Sequence, residues 1–145
     1  MARGTDANLV FRSLYQSAIL SVREYVCHAC QGGPAGEEQS ESNNIVLMRS
    51  GAFSKHFGRR TITADVNQVV FFSRGSTYRV SHPSDRGDRG TVLVVTPRVL
   101  QDIVREPDPT VDERPTHPFA FATGPCTADV FWRHRELVQR LEAAG

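Results

Sequence analysis

Residues 65–83, DVNQVVFFSRGSTYRVSHP, decide the fold. The apolar run Val69-Val70-Phe71-Phe72 reads as a well-buried strand. The alternating run Tyr78-Arg79-Val80-Ser81-His82 reads as a strand with one wet and one dry face. Between them, Ser73-Arg74-Gly75-Ser76 is a turn, and Gly75 is the residue best able to take a positive φ there. Two strands about a glycine turn, ending in His-Pro, describe one corner of a small β-barrel.

The rest of the chain fits around that corner. Upstream, residues 52–57 and 60–64 flank Gly58-Arg59 as a hairpin, residues 45–49 form a strand, and residues 18–29 form a longer one. Residues 31–43 are polar and glycine-rich, a loop longer than most in a compact domain. Residues 1–8 are a tail, and residues 9–17 are a short helical turn or an arm lying on the barrel. Downstream, residues 84–90, SDRGDRG, read as a polar, solvated loop, and residues 91–95, TVLVV, as a β-branched strand. Thr96 and Pro97 open a helix with Val99, Leu100, Ile103 and Val104 on one face. Residues 107–118 hold four prolines and form an extended connection; residues 119–122 are a short edge strand. Thr127 caps a last helix whose apolar stripe is Val130, His134, Leu137, Val138 and Leu141, with Glu136 and Arg140 spaced for a surface ion pair. Phe131 and Trp132 near its start read as packing residues. Many short strands followed by helices predict a mainly β protein, an antiparallel barrel or sandwich with α-helices at its C-terminal end.

At 145 residues the chain suits one domain with a real core. A net charge of +1 gives no broad attraction to nucleic acid or membrane, which argues against a DNA-binding module. No apolar run reaches bilayer-spanning length and the N-terminus lacks an apolar signal core, so a cytoplasmic location is expected. Three cysteines, two of them in Cys27-His28-Ala29-Cys30, then point to thiols or metal ligands rather than a disulfide framework.

Residues 50–93 resemble the N-terminal sensor domain of AraC-type transcriptional regulators, a cupin-like barrel. The resemblance rests on Gly51-Ala52-Phe53, Asp65 through Phe72, Gly75, Tyr78-Arg79-Val80, His82-Pro83, Gly87-Asp88 and Thr91-Val92-Leu93. Cys27 followed by Glu37-Glu38 is similar to one branch of that family, which often carries cysteine where this chain has Gly90. The resemblance implies an arm over residues 1–17, a sensor barrel over 18–126, and over 127–145 the start of a helix that links and dimerises. It implies a homodimer through that helix. It also implies DNA binding only through a helix-turn-helix module that this chain does not contain.

A metal-dependent cupin enzyme needs His-x-His, a carboxylate and a third histidine on a neighbouring strand, because several ligands must converge on one open-sided ion. The histidines here are His28, His56, His82, His117 and His134, with no His-x-His. The expectation is therefore a binding protein and not an enzyme. Phe53, Phe72, Tyr78, Val80 and His82 are the candidate ligand-binding residues, with Cys27 beside them from the first barrel strand. The alternative is a metal-binding cupin, either a zinc or thiophilic-metal sensor or a metal-dependent enzyme: Cys27, Cys30 and His82 could hold an ion, with a carboxylate from Glu37 or Glu38. Against that stands a buried Cys27 of purely apolar role, a loop thiol at Cys30, and a His82 that only bonds a loop carbonyl.

Overall fold

A computed structural model describes residues 9–28 and 36–145. Ten strands lie in these residues: β1 (Leu9–Gln16), β2 (Leu20–Cys27), β3 (Glu38–Gln39), β4 (Asn44–Ser50), β5 (Phe53–Phe57), β6 (Arg60–Ala64), β7 (Gln68–Phe72), β8 (Thr77–Ser81), β9 (Asp88–Val95) and β10 (Thr123–Pro125). Helix α1 spans Pro97–Arg105 and α2 spans Ala128–Ala144. A six-stranded antiparallel sheet has the order β1-β2-β9-β4-β7-β10, and a four-stranded one the order β3-β8-β5-β6.

The corner expected at Gly75 is where the chain passes from one sheet to the other. β7 pairs with β4 and β10, while β8 pairs with β5 and β3, so the two strands do not pair with one another. Gly75 takes φ +85°, and its N–H donates to the Ser40 carbonyl at 2.8 Å, which ties the corner to the strand ahead of β4. Of the polar loop expected over 31–43, residues 38–39 form the edge strand β3 against β8. Residues 9–16, expected within an N-terminal arm, form the edge strand β1 of the large sheet.

Period-2 alternation divides each strand between two faces. Inward, Tyr25, Cys27, Val46, Met48, Phe53, Ala64, Val70, Phe72, Tyr78, Val80 and Val92 form one buried core between the sheets. The polar run 84–90 departs from expectation. β9 begins at Asp88, and the Asp88 side chain is buried at 4% exposure rather than solvated. Its partners, described below, are what make that placement tolerable.

The edge strand expected at 119–122 forms three residues later, with Thr123 opposite Val70, while Phe71 N–H donates to the Ala122 carbonyl at 2.9 Å. The connection over 107–118 contains a 3₁₀ turn at Pro109–Glu113, which seats Val111 in the protein and is tied to α1 by Arg105 and Asp112. Thr127 caps α2, its hydroxyl accepting from the Val130 N–H. Trp132, expected as a packing residue, is instead 62% exposed, touching Phe131 edge to face. Among the described residues no helix is long and apolar enough to cross a membrane.

The stripe on α2 packs on the outer face of the large sheet. His134 and Val138 are buried, and His134 Nε2 is hydrogen-bonded to Thr91 Oγ1 at 2.7 Å. Burial, and then the nearby Arg49 cation, lower the His134 pKa to about 4. The unfolded chain, with an ordinary histidine, therefore binds more protons between about pH 4 and 6.5. Stability carried by this neutral imidazole is complete above that window and is lost as pH falls through it, at up to about 1.4 kcal/mol per pH unit. Urea denaturation of wild type and His134→Gln across this range checks the point: the two stability curves should converge on acidification, and parallel curves would refute it.

Candidate functional site

The β2–β9 ladder sets Cys27 opposite Asp88 and Tyr25 opposite Gly90. Tyr25 and Cys27 are two residues apart, so both face inward. His82 follows β8 in the inward phase of Tyr78 and Val80. These three segments meet at one end of the interior.

The Asp88 carboxylate accepts from the Tyr25 hydroxyl at 2.8 Å on one oxygen and from His82 Nδ1 at 3.0 Å on the other. A carboxylate only accepts, so the Nδ1 hydrogen points at Asp88 and Nε2 is turned toward the Cys27 thiol, 3.9 Å away. Ligand atoms of Cys27, His82 and Asp88 all lie within 4.8 Å of one another. Burial, and then the neighbouring Asp88 charge, hold the Tyr25 hydroxyl well above the ordinary phenol range. Tyr25 therefore stays a hydrogen-bond donor.

Gly90 makes room for this arrangement. A Cβ there would stand 2.7 Å from Tyr25 Cε1 and 3.0 Å from the Leu47 carbonyl oxygen. The glycine found where the resembling branch often has cysteine thus lets the tyrosine ring lie against β9.

Sulfur, imidazole nitrogen and carboxylate oxygen form a donor set suited to zinc and other thiophilic ions. One imidazole cannot offer Nδ1 to Asp88 and also to an ion. The arrangement that fits is therefore Cys27 Sγ and His82 Nε2 as ligands, with Asp88 orienting the ring from behind. Of the residues proposed from sequence, Cys27 and His82 do come together. Cys30 lies outside the described residues. Glu37 is exposed and Glu38 sits on β3; the carboxylate in the site is Asp88.

The remaining candidates also converge. Phe53, Phe72, Tyr78 and Val80 are buried in the same core as Cys27. Phe53 stacks on Phe72 at 6.5 Å between centroids, and Tyr78 meets Phe72 edge-on at 4.8 Å.

Sequence reasoning missed Lys55. It lies two residues beyond Phe53 on β5, hence inward, and is 5% exposed. Its ammonium donates to the Phe71 carbonyl at 2.9 Å, bridging the two sheets, and lies 4.1 Å from the centroid of the Phe72 ring. Burial, then the Arg60 charge, lower its pKa to about 8. The signal was there, in the strand phase of Phe53-Ser54-Lys55-His56-Phe57, but a lysine reads as solvent-facing by default.

No protein-family model matches the chain, and a search of curated proteins finds no match. Solved structures do match. The polyketide cyclase RemF from Streptomyces resistomycificus is 14% identical, with a TM-score of 0.52 over 61% of this chain and 66% of that one. An RmlC-like cupin family protein with a double-stranded β-helix fold, from Methanocaldococcus jannaschii, is 11% identical, with a TM-score of 0.50 over 65% of this chain and 86% of that one. The Clostridium difficile EutQ protein is 13% identical, with a TM-score of 0.50 over 60% and 67%. At such identities the likeness is one of fold. The Methanocaldococcus protein is a cupin, and the mainly antiparallel β-fold expected from sequence is the one this chain adopts.

Gly90→Ala tests the packing beneath the site. A methyl group at this position must push the Tyr25 ring off Asp88. The expected loss is about 1–3 kcal/mol in urea denaturation, the usual cost of overpacking. A variant as stable as wild type would mean that Tyr25 is not held by this contact.

Proposed function

We propose that this chain is the effector-sensing and dimerisation domain of an AraC-type transcription regulator, a binding protein rather than an enzyme. Its effector is a thiophilic divalent ion, zinc above all, taken at Cys27 and His82. The observation that carries the reading is the convergence of Cys27, His82 and Asp88 within 4.8 Å, from segments far apart in sequence.

Two further points support it. The sequence holds no His-x-His pair, which the imidazole-rich centre of a cupin enzyme would need. The sequence resemblance to AraC-type sensor barrels runs through the strands that build the site.

The same two strands connect this site to α2. Next to Tyr25 and Asp88, and facing outward, are Glu24 and Arg89, which pair at 2.8 Å. Arg49 joins them, and Arg12 and Arg49 reach Glu142 on α2 at 3.6 Å. An ion that binds one arrangement of β2 and β9 better than another would shift the seating of α2 by its differential affinity. The homodimer forms through α2, with exposed Trp132 at the contact. In such a regulator a separate module binds DNA.

Elemental analysis of reduced, purified protein should find stoichiometric zinc. Cys27→Ser should lose it, and Asp88→Asn should bind it about 10- to 100-fold more weakly by competition with a chromogenic chelator. Cys30→Ser reports whether that thiol supplies another ligand. Protein that takes up neither zinc nor cadmium would end the metal reading.

Sedimentation equilibrium addresses the dimer separately. A dimer at high micromolar concentration is expected, weakened roughly tenfold or more by Trp132→Ala. A monomer throughout would remove the dimerisation role.

A further inference from the structure

We propose that the interior near the β5–β6 hairpin is a binding site for a small organic acid with a flat apolar body. Lys55 Nζ and Arg60 would hold its carboxylate, and Phe57, Phe72 and Tyr78 would face its apolar part. This goes beyond the metal reading and does not rest on it.

The argument starts from a buried cation. Lys55 is 5% exposed, yet among the described residues no carboxylate pairs with it; the charge acting on it is the like charge of Arg60. An ammonium has three hydrogens to donate, and one goes to the Phe71 carbonyl. The ring centroids of Phe72, Phe57 and Tyr78 stand 4.1, 4.8 and 5.8 Å from Nζ. Cation–π attraction offsets only part of the cost of taking an ammonium out of water. A carboxylate brought to it would take up the hydrogens that Lys55 has left to donate.

Arg60 strengthens the case. It pairs with Phe57 across the hairpin, and its guanidinium carbon lies 5.1 Å from the Phe57 ring centroid. No ion pair to Arg60 exists among the described residues either. Two cations thus flank one aromatic wall, and among the described residues no carboxylate pairs with either. Phe57 and Ile62 are half-buried, Ile62 lies opposite Lys55 in the ladder, and Arg60 is exposed beside them. A monocarboxylate with an aromatic or compact aliphatic body matches both halves. A neutral ligand of the same shape would leave the ammonium uncompensated.

The test is isothermal titration of the protein with benzoate and with benzamide, its neutral near-isostere. Benzoate should bind in the millimolar range or better, and benzamide about tenfold or more weakly, the loss expected when a charge-assisted hydrogen bond is removed. Lys55→Met should cost benzoate a similar factor while Cys27→Ser leaves it unchanged, which separates this site from the metal site. Arg60→Gln alters an exposed side chain, so it tests the proposal even if Lys55→Met fails to fold; it should weaken benzoate severalfold and benzamide not at all. Equal binding of benzoate and benzamide, undiminished benzoate binding by Lys55→Met, or no benzoate binding by the wild-type protein would each overturn the proposal. In those cases Lys55 serves only to tie β5 to β7.

Discussion

A carboxylate buried at 4% exposure must have both its oxygens satisfied, because an uncompensated buried charge costs several kcal/mol. Asp88 meets that condition with Tyr25 on one oxygen and His82 on the other. Each partner then becomes fixed in turn. The Tyr25 ring must lie across β9, which requires Gly90 beneath it. The Tyr25 hydroxyl also approaches the Met48 sulfur at 3.2 Å, linking the site to β4. The His82 ring must give its Nδ1 hydrogen to Asp88, which leaves Nε2 facing Cys27. The direction of the only ring nitrogen open to a ligand therefore follows from how one aspartate is buried.

The opposite face of the same strands solves a second charge problem by other means. Glu24, also buried, is surrounded by Arg12, Arg49 and Arg89 at 2.7 to 3.3 Å. Burial pushes its carboxyl upward, but hydrogen bonds from Arg12 and Arg89 outweigh that and hold it below the ordinary carboxylate range. Glu142 of α2 stands at the rim of this network, 3.6 Å from Arg12 and from Arg49. The inner site and the anchorage of α2 thus occupy alternate residues of β2 and β9. Neither can be shifted along its strand without moving the other, since a one-residue slip exchanges the two faces.

Much of this fold was legible in the sequence because most strands carry an unambiguous period. Val69–Phe72, the Gly58-Arg59 hairpin and the Gly75 corner follow from apolar runs and turn residues alone. The site was legible only in its sulfur and imidazole. Asp88 hid within a run of charged and glycine residues whose composition says solvent, and its partner Tyr25 is 63 residues away. A polar residue is buried for the sake of specific distant partners, and no local pattern encodes those. Lys55 failed for the converse reason. Its phase on β5 pointed inward while its residue type pointed outward, and phase prevailed because the Phe71 carbonyl and aromatic faces receive the ammonium. The last strand slipped from 119–122 to 123–125 because its pairing with β7, not its own composition, sets where it begins.

The interior that results is divided chemically. At one end an anion is buried and fully hydrogen-bonded, beside a thiol and an imidazole that present electron pairs. Near the β5–β6 hairpin a cation is buried with one hydrogen bond and aromatic faces. Were the two charges neighbours, they would neutralise each other as an ordinary buried ion pair, and neither would favour a ligand. Among the described residues Lys55 and Asp88 form no such pair. Asp88 is satisfied by hydrogen-bond donors that leave the second imidazole nitrogen of His82 facing Cys27, and Lys55 retains hydrogens to give. Keeping opposite charges apart costs stability that a paired arrangement would have retained, and what it preserves is two differently charged places in one β-shell. The separation of these two interior charges, Asp88 beside a thiol and an imidazole and Lys55 beside aromatic rings, is the feature from which selectivity for an ion or for an acid would arise.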